Sequence, residues 1–181
     1  MIIVGLGNAD ASYEQTRHNA GFWFLNQWVQ DLGLEWRLEK KCQAHIVKFG
    51  QHLLVKPNCY MNLSGIPVQK TLGYFKRTTE ELVLVYDEMS FQPGTIRFKQ
   101  SGGAGGHNGV KDVIQKIGGN FMRIRIGVGQ PADSSMVSQY VLSRPMQAER
   151  VAIDRAMQEV LRDKEQILQG NWAELMNQHH G

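Results

Sequence analysis

The sequence predicts a single α/β domain over residues 1–181, and three observations carry that expectation. The length of 181 residues, with 42% hydrophobic and 20% charged side chains, suits one globular core. Two uninterrupted apolar runs, Ile2-Ile3-Val4-Gly5-Leu6 and Leu82-Val83-Leu84-Val85-Tyr86, have strand length and the character of strands covered on both faces. Around them, apolar residues recur at helical spacing, first at Phe22, Leu25, Val29 and Leu32. No run is long enough to span a membrane, and the N-terminus lacks the pattern of a signal peptide. Two cysteines, Cys42 and Cys59, are too few for a disulfide framework or a zinc site, so free thiols and a cytoplasmic setting are expected.

The elements follow in order. After the Ile2–Leu6 strand comes Thr16-Arg17-His18-Asn19-Ala20-Gly21, polar and small residues at a strand-to-helix junction. His18 there is placed to act as a base; the plainer reading is that His18 and Asn19 cap the helix. Segments 44–49 and 53–56 read as a hairpin turning at Gly50-Gln51, closed by Pro57. Asn58 to Gly65 then leads into a second helix, with Ser64 as the expected cap and Val68, Leu72 and Phe75 as its buried stripe. The central strand 82–86 ends in Asp87-Glu88, at the carboxyl end where ligand sites gather in open α/β sheets. An acid there can orient an imidazole.

A strand at 95–99 alternates Ile96 and Phe98 with basic residues, and Ser101 to Gly109 is dense in glycine before a helix at about 110–117. Such a loop lets backbone approach an anion or an RNA end closely. The Walker pattern fails, because Val110-Lys111 follow the last glycine, and Gly5-Leu6-Gly7 lacks the third glycine of a dinucleotide site. The strand at 122–128 alternates Arg123 and Arg125 with Ile124 and Ile126, so the two arginines share a face as a candidate phosphate clamp. A loop through Gly129 and Pro131 follows, and then one long helix at about 148–168 burying Ile153, Met157, Val160 and Ile167. The tail Gln178–Gly181 reads either as a frayed end or as residues foreign to the natural protein, with no role for His179 or His180.

The formal charge of +3 permits a polyanionic partner without demanding one. His18, His45, His52 and His107 show no spacing that resembles a metal site, and no Gly-x-Ser-x-Gly elbow is present. What remains is a general-base site: one histidine, one acid, several carboxamides and a cationic surface.

Taken together, Val4-Gly5-Leu6-Gly7-Asn8, Tyr13 with Thr16-Arg17-His18-Asn19, Tyr60-Met61-Asn62-Leu63-Ser64-Gly65, Asp87-Glu88 and Gly105-Gly106-His107-Asn108-Gly109 resemble the bacterial type of peptidyl-tRNA hydrolase, in order and spacing, from Ile2 to about Pro131. The resemblance implies a mixed, twisted β-sheet flanked by helices. It also implies hydrolysis of the ester joining a peptide to the terminal adenosine of tRNA, without a metal or other cofactor. Carried over, His18 is the base and Asp87 its orienting acid, while Asn8 helps discriminate blocked from free aminoacyl groups. Tyr13, Tyr60, Asn62 and Asn108 line the peptide and adenosine site, and Lys99 and Arg125 grip the tRNA 5′ phosphate. The expected partner is peptidyl-tRNA, through its acceptor stem and terminal adenosine, with no membrane and a monomeric chain. Ala9-Asp10 stands where the family has proline and glycine, Cys59 where threonine is common, and Ser90 where aspartate is frequent. Those departures touch rate and discrimination. A non-catalytic RNA-binding relative, of the kind found among plant plastid splicing factors, is the second reading; retention of His18, Asp87, Asn62 and Asn108 favours the enzyme.

Overall fold

The computed structural model describes residues 1–180. Seven strands form one sheet: β1 (Ile2–Gly5), β2 (Arg37–Glu39), β3 (Ala44–Phe49), β4 (His52–Pro57), β5 (Leu82–Glu88), β6 (Ile96–Gln100) and β7 (Met122–Gly127), in the order β2-β3-β4-β1-β5-β7-β6. The four middle strands, β4, β1, β5 and β7, run parallel, and antiparallel neighbours complete both sides. The sheet is therefore mixed, as expected, and the unbroken apolar strands β1 and β5 lie at its centre.

Helices cover both faces. On one face α1 (Ala20–Leu32), α5 (Gln147–Arg162), α6 (Lys164–Gln169) and α7 (Trp172–His179) pack over Ile3, Val83, Val85, Phe98 and Ile124. On the other, α2 (Gly65–Tyr74) and α3 (Asn108–Ile117) pack over Ile2, Val4, Leu82, Leu84 and Tyr86. Phe24, Leu25 and Trp28 of α1 are wholly buried, each worth about 1.5–3 kcal/mol by removal from water. α1 approaches β1 and β5 so closely that a Cβ on Gly21 would lie 2.4 Å from the Val85 carbonyl oxygen and 2.6 Å from the Leu6 nitrogen. Only glycine fits there, and that contact fixes where the start of α1 sits against the strand ends.

Several expectations need correction. Asn19 and Ser64 occupy cap positions without capping: the Asn19 side chain is drawn to Asn8, and the Ser64 hydroxyl donates to the Met61 carbonyl. The expected long last helix is broken at Asp163, and α7 follows a left-handed Gly170. Nor does the tail fray through His180. The His180 ring nitrogen Nε2 accepts from the Phe98 backbone N–H of β6 at 2.9 Å, Arg97 donates to the His179 carbonyl at 2.9 Å, and His179 pairs with Asp163. Gly181 lies outside the described residues. No helix among them is long and apolar enough to cross a membrane.

The chain passes from β1 through α1 to the β2–β4 side, then returns through α2 to β5 on the other side of β1. The carboxyl ends of β1 and β5 therefore flank a topological switch point, where side chains from separate connections can converge.

Candidate active site

Two strand ends and two junctions meet at that switch point. β5 delivers Asp87, 3% exposed, directly beneath a turn of 3-10 helix (Arg17–Asn19) that carries His18. His18 Nδ1 lies 2.9 Å from Asp87 Oδ2. His107, just before α3, places Nε2 at 2.7 Å from Asp87 Oδ1. The other His107 nitrogen, Nδ1, accepts from the Val110 N–H at 3.2 Å, so the proton of a neutral ring sits on Nε2 and is donated to Asp87. One carboxylate thus receives an N–H from each imidazole. This assigns His18 the tautomer with its proton on Nδ1, leaving Nε2 as the basic nitrogen, and Nε2 has no partner among the described residues.

The electrostatics follow from the same contacts. Burial acts to raise the Asp87 carboxyl, yet the charges and hydrogen bonds of His18 and His107 outweigh it and hold the group well below the ordinary carboxylate range. Burial acts to lower His18, but the adjacent Asp87 charge and hydrogen bond override it, and the imidazole ends above its ordinary value. His18, Asp87 and His107 place donor atoms within 4.8 Å of one another, a convergence the spacing of histidines in the sequence did not announce. The nitrogen–oxygen distances of 2.7 and 2.9 Å are those of hydrogen bonds, and Asp87 is already shared between two of them.

Asn8 is fixed on three sides. Its Oδ1 accepts from the Met61 N–H at 2.7 Å, its backbone N–H donates to Asn19 Oδ1 at 2.8 Å, and its carbonyl accepts from Asn19 Nδ2 at 3.0 Å. With Oδ1 taken, the Asn8 Nδ2 donors are left without a partner among the described residues. They border a hollow of about 240 Å³ lined by Asn8, Tyr13, His18, Tyr60, Met61, Asn62, Asn108, Ser138, Val141 and Leu142. Six of the nine residues expected from the sequence thus line one hollow, with Asp87 immediately behind His18. A smaller hollow of about 60 Å³ joins it through His18, Asn108, Ser138 and Val141 on the glycine-loop side. A larger one, about 620 Å³ near Leu34, Leu38 and Phe75, lies by the β2–β3 edge and shares no residue with either.

Lys99 and Arg125 lie apart from the hollow. Lys99 stands opposite Arg123 and Arg97 opposite Arg125 across the β6–β7 pair, so all four cations share the face that α2 and α3 leave uncovered. The pairing of Arg123 with Arg125 as a clamp is corrected by burial: Arg123 is 1% exposed, and its guanidinium donates to the Gly102, Gly103 and Gly119 carbonyls, fastening the glycine-rich loop. Arg125 is half-buried, lying over the Phe91 ring and 3.9 Å from Glu88, while Lys99 is exposed. Sequence reasoning missed His107 as a partner of Asp87. It also missed the wall formed by Ser138 and Val141 of a one-turn helix α4 (Val137–Val141) and by Leu142 just after it.

The peptidyl-tRNA hydrolase family profile matches residues 2–181. Among curated relatives, the chain is 44% identical to a peptidyl-tRNA hydrolase of Chromohalobacter salexigens, over 98% of this chain and 95% of the relative. It is 40% identical to one from Neisseria meningitidis, over 96% and 93%. The crystal structure of peptidyl-tRNA hydrolase from Acinetobacter baumannii superposes with a TM-score of 0.92 at 37% identity, covering 98% of this chain and 92% of that one. With the full length matched by sequence and by fold, the chain belongs to the peptidyl-tRNA hydrolase family.

Proposed function

We propose that this protein hydrolyses the ester between a peptide and the terminal adenosine of tRNA, with His18 as the general base. The observation that carries the reading is the setting of His18: its Nδ1 is engaged by the Asp87 carboxylate, and its ring lines the hollow beside Asn8, Asn62 and Asn108. A water in the hollow donates to Nε2 while its oxygen attacks the ester carbonyl, and the proton later passes to the departing ribose oxygen. Negative charge grows on the carbonyl oxygen, and the Asn8 amide, held by Met61, is a donor already oriented to meet it. The same fixed amide gives Asn8 its proposed part in selecting N-blocked substrates. Tyr13, Tyr60, Asn62 and Asn108 offer aromatic faces and carboxamides to the adenosine and the peptide. Lys99 and Arg125, on the uncovered face of β6–β7, bind the 5′ phosphate of the acceptor stem. His18, Asp87 and Asn8 need no metal or other cofactor for this chemistry. The protein works in the cytoplasm, where its substrate is made.

The test is release of N-acetylaminoacyl groups from charged tRNA by the wild type and by His18→Ala. A positioned base contributes on the order of a hundred to ten thousand fold, so the variant should lose that much in kcat while retaining its fold and its affinity for tRNA. Equal rates from the two proteins would remove His18 as the base. Tight tRNA binding without release by the wild type would instead support a binding protein built on an enzyme fold.

A further inference from the structure

The residue immediately before the base is an arginine that the proposed chemistry does not use. A cation beside the reacting centre of an RNA-directed enzyme invites a phosphate contact, but the Arg17 side chain is only 7% exposed and its terminal nitrogens are spent inside the protein. Nη1 donates to the Tyr140 carbonyl at 3.3 Å and to the Ser143 hydroxyl, and Nη2 meets Glu149 at 3.0 Å. The guanidinium lies 3.9 Å over the Tyr140 ring, and the Arg17 backbone N–H donates to the Ser143 carbonyl at 3.0 Å.

We infer that Arg17 is a positioning residue, which sets the distance between the α4 wall and His18 and so the width of the hollow that receives the esterified amino acid. The inference rests on the proposed reaction. α4 is five residues long, too short to hold itself in place, yet it and the residue after it supply Ser138, Val141 and Leu142 to the hollow. Apart from Arg17, α4 is tied to the sheet by the Tyr140 hydroxyl, which donates to the Val128 carbonyl at 2.9 Å. Arg17 and His18 are consecutive in one 3-10 turn, so the grip of Arg17 refers the wall to the base itself. Glu149 completes the unit, because the oxygen that pairs with Arg17 also accepts from the Met146 N–H at the start of α5. A planar guanidinium can make these bonds and stack on Tyr140 at once; an ammonium keeps the charge and little else.

The test compares N-acetylglycyl-tRNA with N-acetylphenylalanyl-tRNA as substrates of the wild type and of Arg17→Lys. Glycine hardly touches a displaced wall, whereas a large side chain loses packing against it. Arg17→Lys should raise KM for the phenylalanyl substrate by about tenfold and for the glycyl substrate by no more than about twofold, with kcat held within about threefold for both. Should Arg17→Lys fail to fold, the near-isosteric Glu149→Gln carries the same test, with the same direction of change in the ratio of the two KM values. An equal fall in kcat for both substrates at unchanged KM would overturn the inference, as would wild-type constants throughout. Failure of the wild type to release either amino acid would strike at the proposed reaction instead.

Discussion

In the proposed reaction the chemistry at His18 turns on which ring nitrogen keeps its proton, and that is decided one residue away from the reacting atoms. Asp87 does two things at once: it fixes the tautomer, and it holds the imidazole above its ordinary value against the pull of burial. Activity that requires neutral His18 therefore rises with pH through a midpoint above about 6.5, the ordinary imidazole value. In Asp87→Asn the raising influence disappears while burial remains, so the acid limb of kcat should move to lower pH even as kcat falls by about a hundredfold or more. A pH–rate profile of the two proteins checks this; an unmoved limb would detach Asp87 from His18. Each residue stood out in the sequence separately, His18 at the junction into the first helix and Asp87 at the end of the central strand; their pairing came from the family resemblance, and the contact itself is visible only in the fold. His107 did not stand out, because it sits inside a glycine-rich stretch whose composition draws attention to backbone freedom. Its tautomer depends on a cap bond to Val110 that exists only once α3 has formed. Arg17 was equally hidden, since its partners lie more than a hundred residues further along the chain.

At the scale of elements, the β6–β7 pair divides its two faces cleanly. Phe98, Ile124 and Ile126 join the core beneath α5–α7, while Arg97, Lys99, Arg123 and Arg125 turn to the side α2 and α3 leave open. Alternation in the sequence made that division readable. It did not reveal which cations would be consumed internally: Arg123 disappears under a loop that follows the neighbouring strand, and Arg97 donates to the His179 carbonyl. The two candidates left for the 5′ phosphate should behave additively and electrostatically. Lys99→Ala and Arg125→Ala should each weaken tRNA binding without changing kcat at saturation. Each should also flatten the slope of log affinity against log salt by about one. Binding isotherms at several salt concentrations decide the matter, and an unchanged slope would place the phosphate elsewhere. The elements that escaped the sequence are the short ones: β2 has three residues and α4 five, too few for any period to declare itself.

Across the whole molecule, the last helix is what the sequence concealed most, and its anchoring is sensitive to pH. Leu175 is fully buried, yet the bonds that seat the end of α7 on β6 run through His179 and His180. Burial, helped by Arg97, Arg125 and His179, lowers the His180 imidazole, which must stay neutral to accept the Phe98 N–H. A histidine depressed in the folded state contributes stability that is complete above about pH 6.5, its unfolded value, and is lost as pH falls through the folded value. The Phe98 amide should therefore lose hydrogen-exchange protection in acid below that point, beyond the ordinary pH dependence of exchange, and His180→Ala should show the loss already at neutral pH. Protection that is the same in both proteins would leave His180 without a structural part. The strand it closes is one of the two outer strands of the sheet, with no further strand beyond it among the described residues. One rim of β6 is met by β7, residues 122–127, and the other by residues 179–180 at the end of α7, more than fifty residues further along the chain. An unpaired strand edge is a ready template for pairing with another chain, so a chain in which residues 172–180 are not seated leaves β6 open to that kind of association.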